Sequence, residues 1–125
     1  MARQFSETLY PRTEFDEQVA VIAYIKLLYP KTLMTIAPAG IKMNIRTGLR
    51  FRKMGYSVGT PDILIFEPRG KYHGLLIEMK KIGGKVSKAQ KRWIAEANKR
   101  LYKVVVCYGA VQAYEIINKY FDEKS

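Results

Sequence analysis

Residues 62–80 read DILIFEPRGKYHGLLIEMK. Asp62 to Phe66 has the β-branched and aromatic bias of a strand. Glu67-Pro68-Arg69-Gly70-Lys71 is turn chemistry, and Tyr72 to Met79 is a second apolar run, so the segment is predicted to be a β-hairpin. If the turn centres on Gly70, residues whose numbers add to 140 lie opposite one another, and Asp62 and Glu78 form such a pair. Their Cβ atoms would then stand roughly 4.5–5.5 Å apart. Two carboxylates so placed repel unless a cation lies between them. Lys80 is two residues beyond Glu78 and so shares its face of the sheet. A bulge in the hairpin would shift this register by one and part the carboxylates.

On the N-terminal side, residues 1–12 form an extension ahead of the first helix. Thr13 is the N-cap, and Glu14, Asp16 and Glu17 fill the first turn, where carboxylates suit the helix dipole. The helix runs to about Tyr29, and Pro30 stops it. Glu14, Gln18, Val21, Ile25 and Leu28 fall on one stripe. Its lower part is core, whereas its upper part carries a carboxylate and an amide toward that core, which needs a reason. Leu33 to Ala37 is a short strand ended by Pro38-Ala39-Gly40. Over 42–54, Lys42, Arg46, Arg50 and Lys53 recur at helical spacing, which predicts a basic-faced helix or helical loop. Gly55 and Gly59 bracket a turn into Thr60-Pro61.

On the C-terminal side, Gly83-Gly84 breaks the chain. Ser87 then caps a helix, with Gln90 at capping-box spacing, running to about Arg100. Lys103 to Tyr108 is a strand apolar enough for burial on both faces, and Ala110 to Phe121 closes as an amphipathic helix. The order α-β-(α)-β-β-α-β-α predicts an α/β fold, a mixed sheet flanked by helices.

The 125 residues suit a single domain, and 48% hydrophobic with 26% charged residues is an ordinary globular balance. The longest apolar block, Val19 to Tyr29, is interrupted by Lys26 and falls short of a membrane span. The N-terminus carries no apolar signal core, and Cys107 is the one cysteine, so the expectation is a cytoplasmic protein without disulfides. The formal net charge of +11 predicts a polyanionic partner.

Charge and hairpin point to one chemistry. Two acidic side chains on adjacent strands, with positions left open for water and phosphate, suit Mg²⁺ or Mn²⁺. Such an ion polarises a phosphodiester and lowers the pKa of bound water; a lysine beside it orients or deprotonates that water, or neutralises charge on the phosphate. Simpler readings exist for each residue alone. Asp62 suits a Thr-Pro-Asp turn, and Glu78 and Lys80 suit the solvated end of an edge strand. Gly83-Gly84-Lys85 lacks Walker spacing. Lys85, Ser87, Lys88 and Lys91 at a helix N-terminus could meet a phosphate, and the stripe Lys42, Arg46, Arg50, Lys53 either tracks a nucleic-acid backbone or is merely solvated. His73 has no neighbouring His or Cys for zinc and reads as packing. Tyr56, Tyr72 and Trp93 also read as packing rather than base stacking.

At these residues the chain resembles a known family. Pro61-Asp62 followed by Glu78-Met79-Lys80 reproduces the PD-(D/E)XK nuclease motif, and the surroundings resemble the VRR-NUC subgroup. The matching stretches are Thr13-Glu14 with Gln18, Pro38-Ala39-Gly40, the run from Gly55 through Gly59 to Asp62, and His73 to Lys80. Gly84, Ser87, Gln90, Trp93 and the closing strand from Tyr102 continue the pattern. The resemblance implies a restriction-endonuclease-like fold over residues 13 to about 121. It implies that Asp62 and Glu78 are metal ligands, helped by the Met79 carbonyl, and that Lys80 is the catalytic lysine. Glu14 would complete the metal shell directly or through water, with Glu17 its rival, and Gln18 and Gln90 would line the site. Ala39 stands where the family usually has Asn. The implied activity is that of a metal-dependent endonuclease on branched DNA such as Holliday junctions, and cutting two symmetric strands implies a homodimer. Flaps or duplex ends are alternative substrates, and a non-catalytic nucleic-acid-binding module is the alternative function.

Overall fold

The structure, a computed structural model, describes residues 12–38 and 44–123. Along the chain run α1 (Glu14–Leu28), β1 (Met34–Ile36), α2 (Ile45–Lys53), β2 (Ile63–Ile65), β3 (Gly74–Lys80), α3 (Lys88–Lys99), β4 (Tyr102–Tyr108) and α4 (Ala110–Asp122). This is the order that the sequence predicts. The strands form one sheet in the order β1-β2-β3-β4, antiparallel except for the parallel β3–β4 pair, whose crossover carries α3. Among the described residues, no helix is long and apolar enough to cross a membrane.

Alternation along β2 and β3 divides the molecule into two layers. Ile63, Ile65, Leu75, Ile77 and Met79, with Cys107 of β4, face Val21 and Ile25 of α1 and Ala113, Ile117 and Tyr120 of α4. Burial in this layer pushes the Cys107 thiol up to about 11, so it is an inert packing group. The alternate residues, Leu64, Leu76 and Glu78, face the opposite way, on the side that carries α3.

Two elements depart from expectation. β4 is an edge strand on which only Cys107 is fully buried. Its valine run reflects β propensity in a strand with one neighbour, not burial on both faces. In α1 the apolar stripe ends early: Leu28 is 50% exposed. Tyr29 does the packing instead, its ring stacked 4.3 Å from Phe121 and its hydroxyl donating to Asn118 at 2.7 Å. The basic segment is a helix, but it starts at Ile45 because Asn44 caps it, accepting the Thr47 N–H at 2.8 Å. Lys42, Ala39 and Gly40 lie outside the described residues.

The loop between α2 and β2 is seated on α3. Trp93 donates its indole N–H to Ser57 Oγ at 3.0 Å, and Thr60 donates its hydroxyl to the Ser57 carbonyl. Gly59 has φ +93°, and a Cβ there would stand 2.5 Å from the Ala89 carbonyl in the first turn of α3. Only glycine permits both the backbone angle and the approach. Gly59→Ala is therefore expected to lower stability by about 3 kcal/mol, strain and overlap combined, measured by urea unfolding. A loss under about 1 kcal/mol would show that the loop slides freely over α3.

Candidate active site

The hairpin ladder pairs Ile63 with Ile77, Leu64 with Leu76 and Ile65 with Leu75. Every pair adds to 140, so the next rung sets Asp62 against Glu78. The turn does contain a one-residue slip, since its isolated bridge joins Arg69 to Tyr72. That slip is absorbed at the tip and does not reach the carboxylates.

Both acids are buried, Asp62 at 7% exposure and Glu78 at 3%. Asp62 Oδ2 accepts the Met79 N–H at 2.7 Å, while its main-chain carbonyl accepts the Ala37 N–H at 3.0 Å. Glu78 Oε2 accepts from Gln90 Nε2 at 3.2 Å. The other oxygen, Oε1, is buried without a hydrogen-bond partner among the described residues. Burial, reinforced by the adjacent Asp62 carboxylate and opposed by Lys80, pushes Glu78 up to about 9. Asp62 is also raised by burial, with the Glu78 side chain and the Met79 N–H pulling it down. Without a cation the pair therefore shares one proton at neutral pH.

The remaining predicted residues fall into place around this pair or away from it. Half-buried Lys80 acts on both carboxylates. Gln90 serves two ends at once: its Oε1 accepts the Ser87 N–H at 2.8 Å to close the α3 capping box, and its amide nitrogen holds Glu78. Glu14 is exposed but adds negative potential at both carboxylates, and with Gln18 it lines the same cavity as Asp62. Glu17 does something else. Its Oε2 accepts the Ala110 N–H at 2.8 Å and its Oε1 meets Arg12 Nε at 3.2 Å. It thereby caps α4, whose own N-cap is Gly109 and has no side chain to offer. Arg46, Arg50, Lys53, Lys85, Lys88 and Lys91 are all exposed. The Ser87 hydroxyl is already engaged, accepting the Gln90 N–H at 3.1 Å. His73 is exposed, its ring 5.8 Å from Tyr102.

Tyr56 is a neighbour of the site that sequence reasoning assigned to packing. Burial raises its hydroxyl pKa, and Asp62 and Glu78 raise it further, so the phenol stands within electrostatic reach of both. Nothing in its spacing signals this; only the docking of its loop on α3 brings it there.

A hard divalent cation suits this donor set in part. Two opposed, buried carboxylates with one orphaned oxygen are what Mg²⁺ or Mn²⁺ would satisfy. A strand residue presents its N–H and C=O to the same side, so the Met79 carbonyl also lies on the Asp62 side. Among the described residues, no three His, Cys, Asp or Glu side chains are grouped to hold a metal ion; Glu14 shares the cavity wall with Asp62.

Comparisons with known proteins agree with this fold. The sequence profile of the VRR-NUC domain matches residues 41–111, more than half of the chain. Among solved structures, a VRR-NUC domain protein superposes with a TM-score of 0.80 at 29% identity, covering 93% of each chain. No curated protein matches.

The raised Glu78 pKa sets the sign of a pH effect. A carboxyl that titrates near 4.5 when unfolded and about 9 when folded contributes stability that is complete below the lower value and lost as pH rises through the upper one. In EDTA, wild-type stability should fall between these two values. Glu78→Gln, which cannot ionise, should melt above wild type at pH 8 and converge with it near pH 5. Parallel melting curves for the two proteins across that range would show that Glu78 is charged in the folded state.

Proposed function

The chain belongs to the VRR-NUC domain family, and from that premise we propose that it is a Mg²⁺- or Mn²⁺-dependent endonuclease hydrolysing DNA phosphodiesters. Its proposed substrate is branched DNA such as a Holliday junction, cut by a homodimer whose two-fold axis relates two sites. The observation that carries the reading is the buried, opposed pair Asp62 and Glu78 beside Lys80, with one Glu78 oxygen unsatisfied.

In this reading Asp62, Glu78 and the Met79 carbonyl hold the ion, which supplies Lewis acidity and a water of lowered pKa. The Met79 N–H fixes the Asp62 carboxylate, and Gln90 fixes Glu78, so both oxygens are aimed before substrate arrives. Lys80 orients the attacking water, takes its proton, or neutralises charge building on the phosphate. Glu14 and Gln18 act from α1 through water at the mouth of the site. Arg46, Arg50, Lys53, Lys85, Lys88 and Lys91 bind flanking phosphates without reading sequence.

A panel of four-way junction, flap, hairpin and linear duplex DNA, assayed with Mg²⁺ and then Mn²⁺, tests the proposal. Asp62→Asn and Lys80→Ala are expected to lose cleavage by roughly 100- to 1000-fold while affinity for DNA changes by no more than about threefold. A wild-type protein inert toward every substrate in Mn²⁺ would sink it. The two α1 acids should separate in the same assays. Glu14→Gln should reduce cleavage about tenfold without altering the melting temperature. Glu17→Gln should lower stability by about 1 kcal/mol through the loss of the α4 cap and leave cleavage near wild type. The reverse pattern would exchange their roles.

A further inference from the structure

An open cavity of about 570 Å³ lies between α1 and β1, lined along α1 from Glu14 to Lys26, by β1 from Met34 to Ile36 and the following Ala37, and by Asp62. At 1.5 Å per helical residue its α1 wall is about 18 Å long. The walls are apolar and open to solvent: Phe15 is 72% exposed, Val19 51% and Ile36 45%. Polar groups are few: the Gln18 amide and the Thr35 hydroxyl within, the Glu14 carboxylate at the end that Asp62 shares, and Lys26 at the other end. The fully buried core residues of α1, Val21 and Ile25, are not among the trough's lining, although Ile22 and Met34, which line it, pack against the core.

Apolar walls with sparse polar groups suit a ligand that has flat hydrophobic faces and a polar edge. A nucleobase is such a ligand, and its phosphate would already be at Asp62. Resting on the nuclease reading, we propose that the trough receives one unstacked nucleotide adjacent to the scissile phosphate. Phe15 is its stacking platform, Gln18 hydrogen-bonds its edge, and Lys26 meets the next phosphate along the strand. Two observations favour this occupant. The trough is continuous with the carboxylate site through Asp62, where the scissile phosphate is proposed to sit. A strand of DNA also carries charge opposite to the chain's net +11. The strand must then surrender a base from its stack, which is least costly where pairing is already interrupted. Selection for branch points follows from the trough itself, in each protomer separately.

The test places 2-aminopurine at successive positions around the branch of a four-way DNA junction and reads its fluorescence on binding wild-type protein in EDTA. One position should brighten, and it should adjoin the bond cut when Mg²⁺ is restored. Val19→Trp, which fills the trough at an exposed position, should abolish the brightening and lower junction cleavage about tenfold while affinity changes by no more than about twofold. Phe15→Ala should weaken both readouts. If no position brightens, or Val19→Trp cuts like wild type, the proposal is overturned. It is equally overturned if Val19→Trp alters sedimentation and leaves the fluorescence unchanged, since the trough would then be a contact between copies. Brightening in a protein that cuts nothing ends the nuclease reading and leaves the trough standing; cutting without brightening does the opposite.

Discussion

Two carboxylates held face to face out of water are the constraint around which the rest of this structure is arranged. At the rungs just below, the same two strands oppose Ile63 to Ile77 and Leu64 to Leu76. An apolar pair at the Asp62 and Glu78 rung would continue that packing, and replacing buried charges by well-packed apolar groups is commonly neutral or stabilising. Stability therefore gives no account of the acids. What surrounds them is a set of neighbours that engages one oxygen of each, the Met79 N–H on Asp62 and the Gln90 amide on Glu78, and leaves Glu78 Oε1 buried without a hydrogen-bond partner among the described residues.

Those neighbours are themselves tied to the scaffold. Gln90 spends one end of its amide on the Ser87 N–H and the other on Glu78, so the helix cap and the site carboxylate share one side chain and cannot relax independently. Gly59 lets the loop leading to Asp62 press against that same first turn, and Trp93 anchors the loop one turn further along α3. The two acids of the hairpin thus depend on one helix end from opposite sides. Glu17 plays the matching part for α1, bonding the start of α4 and thereby setting the angle at which Glu14 approaches the site.

How much of this was legible in the sequence depended on how local each feature is. Hairpin register is arithmetic about one turn, and it gave the Asp62–Glu78 opposition even though the tip slips by a residue, because the slip stays inside the loop. The α3 capping box followed from the three-residue spacing of Ser87 and Gln90, whereas at α1 the sequence showed Thr13 as the cap and not the Asp16 side chain that reciprocates it. Glu14 and Glu17 could not be separated from sequence: both sit in the first turn of α1, and the group that claims Glu17 lies 93 residues away. Tyr56 was opaque for the same reason, its position being set by loop docking. The β4 run could not reveal an edge strand, since valines favour a strand with one neighbour as much as with two. Leu28 fitted the stripe by number, but Tyr29 found the partner.

The chain's overall charge and its site have opposite signs, and the proposed chemistry has to reconcile them. A net charge of +11 draws a polyanion in from a distance, yet at short range Asp62, Glu78 and Glu14 present acids to the arriving phosphate. Burial already moderates this by raising both carboxyls, so that the pair shares a proton rather than facing each other with two charges. A divalent cation would occupy the same gap and displace that proton, so ion binding and proton release are coupled at this site in the proposed enzyme. Lys80 then stands where the balance is decided. Among the described residues it is the one positive side chain that acts on both acids, and it favours their ionised forms, which are the forms able to hold the ion.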